Sequence, residues 1–220
     1  MSSFLKDITF IIVSFQSENI ISKCIDSLNS ISKIIVIENS NNNLIKKNLE
    51  KKYSNLQVII AKKNLGYARA NNLGLSKVKT KYAFILNPDA HLEKNALKEI
   101  ESATNFLKNN FTLLSPRIFH TNQNLSLKSN KKNFVDKVDY IKGFAIFINI
   151  SKINFKPIFD ENFFLFLEET DLCKRVLDSN GKIYIVNKSY VYHEGKRSSG
   201  NDFEIEKCRN WHWMWSLFFY

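Results

Sequence analysis

The chain has 220 residues, 44% of them hydrophobic, with six glycines and three prolines; that excludes collagen-like and disordered classes and leaves enough apolar residues for one proper core. Its net charge of +11 favours polyanionic partners such as phosphorylated small molecules or an anionic membrane surface. The lysines are scattered, from Lys46, Lys47, Lys51, Lys52, Lys62 and Lys63 to Lys128, Lys131 and Lys132, and no aromatic-basic binding motif accompanies them, so no nucleic-acid partner is expected.

Cys24, Cys173 and Cys208 form neither a disulfide framework nor a zinc pattern. Cys24 and Cys173 sit in apolar helical patterns and read as buried, reduced thiols, which suits a reducing compartment. Met1 to Asp7 lacks the basic start and apolar run of a signal peptide, and no stretch approaches the roughly 20 apolar residues of a membrane span. The expectation is a cytoplasmic protein, soluble or peripheral at the inner face of the membrane.

Ile8 to Phe15 is nearly all apolar and β-branched, the pattern of a strand buried on both faces. Ser17 and Glu18 then open a predicted helix carrying Ile20, Ile21, Cys24, Ile25 and Leu28 at helical spacing. Lys33 to Glu38 is a second strand, Asn39 to Asn43 a polar turn, Leu44 to Tyr53 a basic helix and Leu56 to Ala61 a third strand. Gly66 to Val78 reads as a helix and Tyr82 to Leu86 as a fourth strand. This alternation with short connections predicts an α/β domain with a mostly parallel sheet. The turns after Phe15, Glu38 and Leu86 should then converge on one crevice at the carboxyl ends of the strands.

Beyond Asp89 the pattern changes. Glu93 to Lys108 is a predicted helix, Phe111 to Phe119 and Phe144 to Ile150 are predicted strands, and the polar stretch Thr121 to Asn133 reads as a surface loop. The apolar run Phe163 to Leu167 leads into Glu168-Glu169-Thr170-Asp171 and a helix ending near Gly181, followed by a strand over Lys182 to Val186. The aromatic end, Trp211 to Tyr220, reads as a helix packed on the domain or as an interfacial anchor, and its abrupt apolar finish as a chain stopped mid-helix. With no repeat and no linker, one domain is expected over 1–220, divided by the change of pattern into 1–90, 91–200 and an aromatic helix at 201–220.

Several motifs could carry chemistry, and each has a bland alternative. Asp89 in Asn87-Pro88-Asp89 could hold a divalent metal against a diphosphate, although Asn-Pro-Asp is also ordinary turn chemistry. The acids at 168–171 could supply a general base, or simply complement a helix N-terminus. His193 could be a nitrogen ligand or a structural imidazole. The Asn64-Leu65-Gly66 turn before a helix suits phosphate or merely caps that helix.

Their order along one chain is more specific than any of them alone. The stretches VSFQSENIISKCIDSL, IIVIENS, NLGYARANNLGL, YAFILNPDA, FFLFLEETDLCKRVLDSNG and YHEGKRSSG together resemble family 2 glycosyltransferases of the GT-A fold, especially their rhamnosyltransferase-like branch, from Ile8 to about Trp215. The resemblance implies a Rossmann-like nucleotide-binding fold with a mixed, mostly parallel sheet flanked by helices. It implies an inverting transfer from a UDP- or dTDP-sugar to a glycan or lipid-linked acceptor, with Mg²⁺ or Mn²⁺ as cofactor, in surface polysaccharide assembly. Ser14, Phe15, Gln16 and Glu38 would line the nucleoside pocket, and Asn64, Gly66, Asn71 and Asn87 would complete the nucleotide site. Gly143 would leave room for the donor sugar, Asp89 and His193 would ligate the metal, and Glu169 would be the general base, with Glu168 and Asp171 as alternatives. Three residues depart from the family pattern: Asn87 replaces the first acid of the metal motif, Glu38 an Asp, and Glu169 the catalytic Asp. A non-catalytic nucleotide-sugar or glycan-binding module and a truncated transferase stand as the alternatives.

Overall fold

The computed structural model describes residues 2–119, 133–193 and 203–220. A short helix α1 (Ser2–Lys6) precedes β1 (Ile8–Ser14), and α2 (Ile21–Asp26), β2 (Lys33–Glu38), α3 (Asn43–Lys52), β3 (Leu56–Ile60), α4 (Gly66–Leu75) and β4 (Tyr82–Leu86) follow in alternation. The second half contains β5 (Ala90–Leu92), α5 (Ala96–Phe106), β6 (Leu113–Phe119), β7 (Val135–Val138), β8 (Ala145–Asn149), α6 (Glu168–Asp178), β9 (Ile183–His193) and α7 (Phe203–Phe219).

The nine strands of the described residues join one sheet in the order β3-β2-β1-β4-β8-β6-β9-β5, with β7 also paired to β9. β3, β2, β1 and β4 are parallel, the doubly wound order expected of a nucleotide-binding half. β8 then runs antiparallel between β4 and β6. Every residue of β1 is buried because both faces of this sheet are covered. Phe10 and Ile12 join Phe84 and Leu86 on the face packed by α2, α3 and α5, while Ile11 joins Ala83 and Ile85 on the face packed by α4 and α6. Gly74 lets α4 lie close: a Cβ there would stand 2.6 Å from Ile11.

Several boundaries differ from the sequence reading. Ser17 bonds back to the Phe15 carbonyl through its hydroxyl, and its own carbonyl accepts from the Ile20 and Ile21 amides, so a tight turn precedes α2. Glu93 accepts from the Asn95 amide ahead of α5 instead of opening that helix. β5, β7 and α1 were not anticipated, and β9 runs on to His193, seven residues past the predicted Val186. β9 is prolonged through a bulge: the register with β6 shifts between Pro116 and Arg117, so that Val186 faces Pro116 and Tyr190 faces Arg117. Arg117 fills the irregularity by donating to Asn187 at 2.7 Å and to Asp136 at 3.2 Å. Apart from Asn133, the predicted loop Thr121 to Asn133 lies outside the described residues, as do the residues after His193 in the YHEGKRSSG stretch.

The cysteines behave as read. Cys24 and Cys173 are buried and free, and burial raises both thiols, that of Cys173 to about 11; Cys208 is free and exposed.

Candidate active site

The strand order reverses direction of growth between β1 and β4, and the residues singled out in the sequence gather beyond that point. Parallel register sets Ser14 opposite Glu38 at the ends of β1 and β2. Both are fully buried. One oxygen of Glu38 accepts from the Ser40 amide at 2.7 Å and from the Ser40 hydroxyl, which leaves Oε2 as the free end of the side chain. Ser40 thereby takes up the extra methylene that a Glu has over an Asp. Phe15 and Gln16 follow, with Gln16 in a left-handed backbone conformation and its amide 3.4 Å from the Ser40 hydroxyl.

Asn39 ties this edge to the next turn. Its side chain donates to Asn64 Oδ1 at 2.8 Å and to the Gly66 carbonyl at 3.2 Å, and accepts from the Leu65 amide at 2.8 Å. Asn64 Oδ1 also accepts from the Gly66 amide, so its oxygen is engaged in shaping the turn. Gly66 is required there on two counts. Its φ is +74°, and a Cβ would stand 2.3 Å from the Phe164 carbonyl. Asn71, one turn into α4, is fully buried and donates to the Tyr67 carbonyl at 3.0 Å.

Asn87 closes the turn after β4, its amide bonded to the Phe144 carbonyl and its own carbonyl accepting from Ala90. Asp89 is buried beside it. The antiparallel pairing of β5 with β9 places His193 opposite Ala90, and the imidazole Nε2 lies 3.2 Å from Asp89 Oδ1. The Phe144 ring stacks on His193 at 4.6 Å and holds it in that orientation. No group of three or more His, Cys, Asp or Glu side chains that could enclose a metal ion occurs among the described residues. Asp89 and His193 would therefore form an open, two-ligand set, with the remaining positions left to phosphate oxygens and water.

The acids at 168–171 separate into three environments. Glu168 is buried, and burial followed by the charge of Glu169 pushes its carboxyl up to about 8. Glu169 is partly exposed and accepts a hydrogen bond at Oε1 from the Tyr140 hydroxyl at 2.9 Å. Asp171 is turned away to pair with Arg175 Nε at 2.7 Å, and Arg175 also donates to the Pro157 and Ile158 carbonyls. The three acids also occupy the first turn of α6, where they complement its dipole. Gly143 faces this group: a Cβ there would stand 3.5 Å from Glu169, and its carbonyl accepts from the Tyr67 hydroxyl at 2.6 Å.

Tyr67 joins the two ends of the site and was not anticipated. Burial, then the charges of Glu168 and Glu169, raise its phenol, and Asp89 adds to the shift. One hydroxyl thus senses both the Asp89 end and the Glu168-Glu169 end. The available signal was its position four residues before Asn71, on the same face of α4. Tyr140 and Ser40 gave no comparable signal.

The segment before α6 is strained and held from two sides. Phe166 and Leu167 both adopt positive φ, 71° and 64°. On one side the Tyr67 amide donates to the Phe164 carbonyl. On the other, α7 stacks His212 on Phe164 at 4.1 Å, sets Trp213 edge-on to Phe166, and donates from Ser216 to the Leu165 carbonyl at 2.8 Å.

Among the described residues, Ser14 Oγ, Glu38 Oε2, Asn71 Oδ1, Asn87 Oδ1, Asp89 Oδ2, Glu168 Oε2 and His212 Nδ1 are buried without a hydrogen-bond partner, and Asp89 Oδ1 faces the His193 imidazole at 3.2 Å. Buried polar atoms are rarely left unpaired, and each costs about 1–3 kcal/mol when it is. Ser14, Glu38, Asn71, Asn87 and Asp89 among them stand at or after the carboxyl ends of β1, β2 and β4 or in α4 between them, where a polar ligand could satisfy them. By contrast, the depression lined by Ile31, Lys33 and Asn55 at the amino ends of β2 and β3 offers neither carboxylate nor imidazole.

The sequence model described as "Glycosyl transferase family 2" matches residues 9–174, a span that contains every element of this crevice except His193. The chain belongs to glycosyl transferase family 2. The family 2 chain is 24% identical over 200 residues to the low-salt glycan biosynthesis hexosyltransferase Agl10 of Haloferax volcanii. That match covers 81% of this chain and 64% of the relative, so the chain spans just under two thirds of that protein's length. Among solved structures, it resembles S. aureus TarS 1–349 in complex with UDP-GlcNAc, with a TM-score of 0.66, 16% identity and coverage of 93% of this chain and 66% of that one. It also resembles GalNAc-T7 with UDP, GalNAc and Mn²⁺, with a TM-score of 0.67, 14% identity and coverage of 86% and 44%. At these identities the likeness is one of fold, and it bears out the GT-A architecture.

Proposed function

We propose that this family 2 protein transfers a sugar, with inversion, from a nucleoside-diphosphate sugar to an acceptor hydroxyl. The observation that carries the reading is the row of unpaired buried polar atoms from Ser14 to Asp89 beyond the parallel strands, ending at two carboxyl groups of different character. Ser14, Phe15, Gln16 and Glu38 would receive the nucleoside, and Asn71 and Asn87 the rest of the donor. Asn64 and Gly66 would act by shaping the turn against which the donor lies.

Asp89 and His193 would hold Mg²⁺ or Mn²⁺, whose charge would stabilise the departing diphosphate. The buried Asp89 carboxylate, with Oδ2 unpartnered and His193 at 3.2 Å from Oδ1, fits that role. Glu169 takes the proton of the acceptor hydroxyl through Oε2, the oxygen that does not accept from Tyr140, and the acceptor oxygen bonds to the anomeric carbon. The bond from that carbon to the diphosphate breaks, its electron pair leaves with the nucleotide, and one displacement inverts the centre. Glu168, neutral below about pH 8, stays protonated beside it.

A UDP- or dTDP-sugar is the favoured donor class. The ligands of the two structural neighbours, UDP-GlcNAc and UDP with GalNAc, support a uridine nucleotide, and the likeness to the rhamnosyltransferase-like branch supports a deoxyhexose. A glycan or lipid-linked acceptor in surface polysaccharide assembly is the matching context. Thermal unfolding with UDP-, dTDP-, GDP- and CMP-sugars, with and without Mn²⁺, tests the donor site. A ligand at about 100 times its Kd adds roughly 2.7 kcal/mol. A metal-dependent shift with the uridine or thymidine sugars is the expected result; no shift with any of them would sink the reading. Binding without transfer would leave the non-catalytic module, which the replacement of Asp by Glu169 and of an acid by Asn87 favours.

We also propose an anionic membrane surface as a partner at the cytoplasmic face. No helix among the described residues is long and apolar enough to cross a membrane. α7 nevertheless exposes Trp211, Trp215, Leu217 and Phe218 on a chain of net charge +11. Cosedimentation with vesicles containing anionic lipid, but not with neutral ones, is expected, and Trp211→Ser with Phe218→Ser should weaken it. Equal behaviour with both vesicle types would remove the proposal.

A further inference from the structure

The contact between Tyr140 and Glu169 joins two elements distant in sequence. Tyr140 precedes β8 in the loop that ends at Gly143, whereas Glu169 stands in the first turn of α6. Tyr140 is 41% exposed, so it lies at the mouth of the crevice and not in the core. Its hydroxyl donates to Oε1 of Glu169 at 2.9 Å. The hydroxyl engages one oxygen of the carboxylate, so the two oxygens are inequivalent. Gly143, three residues on, presents its Cα side to the same carboxylate and leaves space beside it.

We propose that Tyr140 is a positioning residue whose hydroxyl fixes one oxygen of Glu169 and aims the other at the acceptor hydroxyl. The inference rests on the transferase reading above. A carboxylate on two rotatable methylenes would otherwise sample several orientations, and acceptor activation is sensitive to misplacements near 1 Å. The longer side chain at 169, where the family has Asp, makes such a tether more necessary. Charge agrees with geometry. The groups that sense Glu169 are Glu168 beside it, Cys173 one turn along α6, Tyr67 from α4 and Tyr140 itself. Burial and the Glu169 charge raise the Tyr140 phenol above its ordinary range, so the tyrosine keeps its proton and is the donor of this hydrogen bond. A hydrogen bond to the charged form favours that form.

Tyr140→Phe keeps the ring and removes only the donor. The expected result is a fall in kcat of about tenfold, the loss of one hydrogen bond to a charged group. Donor KM should be unchanged, and the acid limb of the kcat profile should move up by about one pH unit. In parallel, the ¹³C-carboxyl resonance of Glu169 is titrated in wild type and variant, with the melting temperature as the check on folding. A higher Glu169 midpoint in Tyr140→Phe supports the tether, whereas an unmoved midpoint, or an unmoved acid limb with wild-type kcat, overturns it. A wild type that binds donor and never transfers sugar would overturn the transferase reading instead, and the carboxyl titration would still decide whether Tyr140 holds Glu169.

Discussion

Glu169→Gln is expected to lower turnover by about 10²–10⁴-fold while leaving the metal-dependent stabilisation by donor intact. The amide keeps the volume and can still accept from Tyr140, but it cannot take a proton from the acceptor. Glu168→Gln is the informative contrast. Because burial and the neighbouring charge raise the Glu168 carboxyl to about 8, the wild-type side chain is mostly neutral at pH 7. A glutamine there should leave turnover at pH 7 within a few-fold of wild type. Its effect should appear in stability against pH. A carboxyl whose folded value is raised from 4.5 to about 8 binds more protons in the native state between those values. Its contribution is fully present below the unfolded value and is lost as pH rises through about 8. The wild-type melting temperature should therefore fall relative to Glu168→Gln between pH 5 and pH 9. Measured turnover and melting curves for both variants decide the assignment: large loss in Glu168→Gln with little in Glu169→Gln at pH 7 would exchange the two roles.

Asp89→Asn is expected to abolish the metal-dependent part of donor binding and to lower turnover by about 10²–10³-fold, the scale of losing a principal stabiliser of transition-state charge. The same variant should be nearly as stable as wild type, within about 1 kcal/mol or roughly 2–4 °C of melting temperature. The Asp89 carboxylate is buried, with the His193 imidazole 3.2 Å from Oδ1 and no hydrogen-bond partner at Oδ2, so an amide of the same shape costs folding little. Loss of function without loss of stability marks a residue retained for a ligand. Chelator added to wild type should reproduce the binding defect. Retained metal-dependent stabilisation by donor in Asp89→Asn would contradict the metal assignment, and a large drop in melting temperature would make Asp89 a structural residue.

The parallel half of the fold was legible because its strands are short, uninterrupted apolar runs. β1, β2 and β4 can be buried on both faces only in a sheet covered by helices on each side, and α3 and α4 present the matching periodicity. The second half was less legible. β5 has three residues, and β7 alternates no clear apolar face, so neither carries a pattern long enough to read. The apolar pattern of β9 stops at Val186 because Asn187, Lys188 and Ser189 interrupt it; they occupy the bulge against β6, where a regular ladder is not needed.

The candidate site divides the same way. The sequence by itself determined which chemistry follows which strand: Glu38 after β2, Asn87 and Asp89 after β4, and the acids opening α6. It did so because turns after parallel strands must converge and because carboxyl groups are conspicuous beside apolar runs. Only the tertiary structure decided which groups meet. The β5–β9 ladder brings His193 to Asp89, Tyr140 and Gly143 face Glu169 from another loop, and α7 pins the strained turn before α6. The three acids of α6 differ for the same reason. Adjacent positions on a helix point in different directions, so Glu168 is buried with its carboxyl pushed up to about 8, Glu169 faces Tyr140 and Asp171 turns to Arg175, and the packing around each sets what it can do.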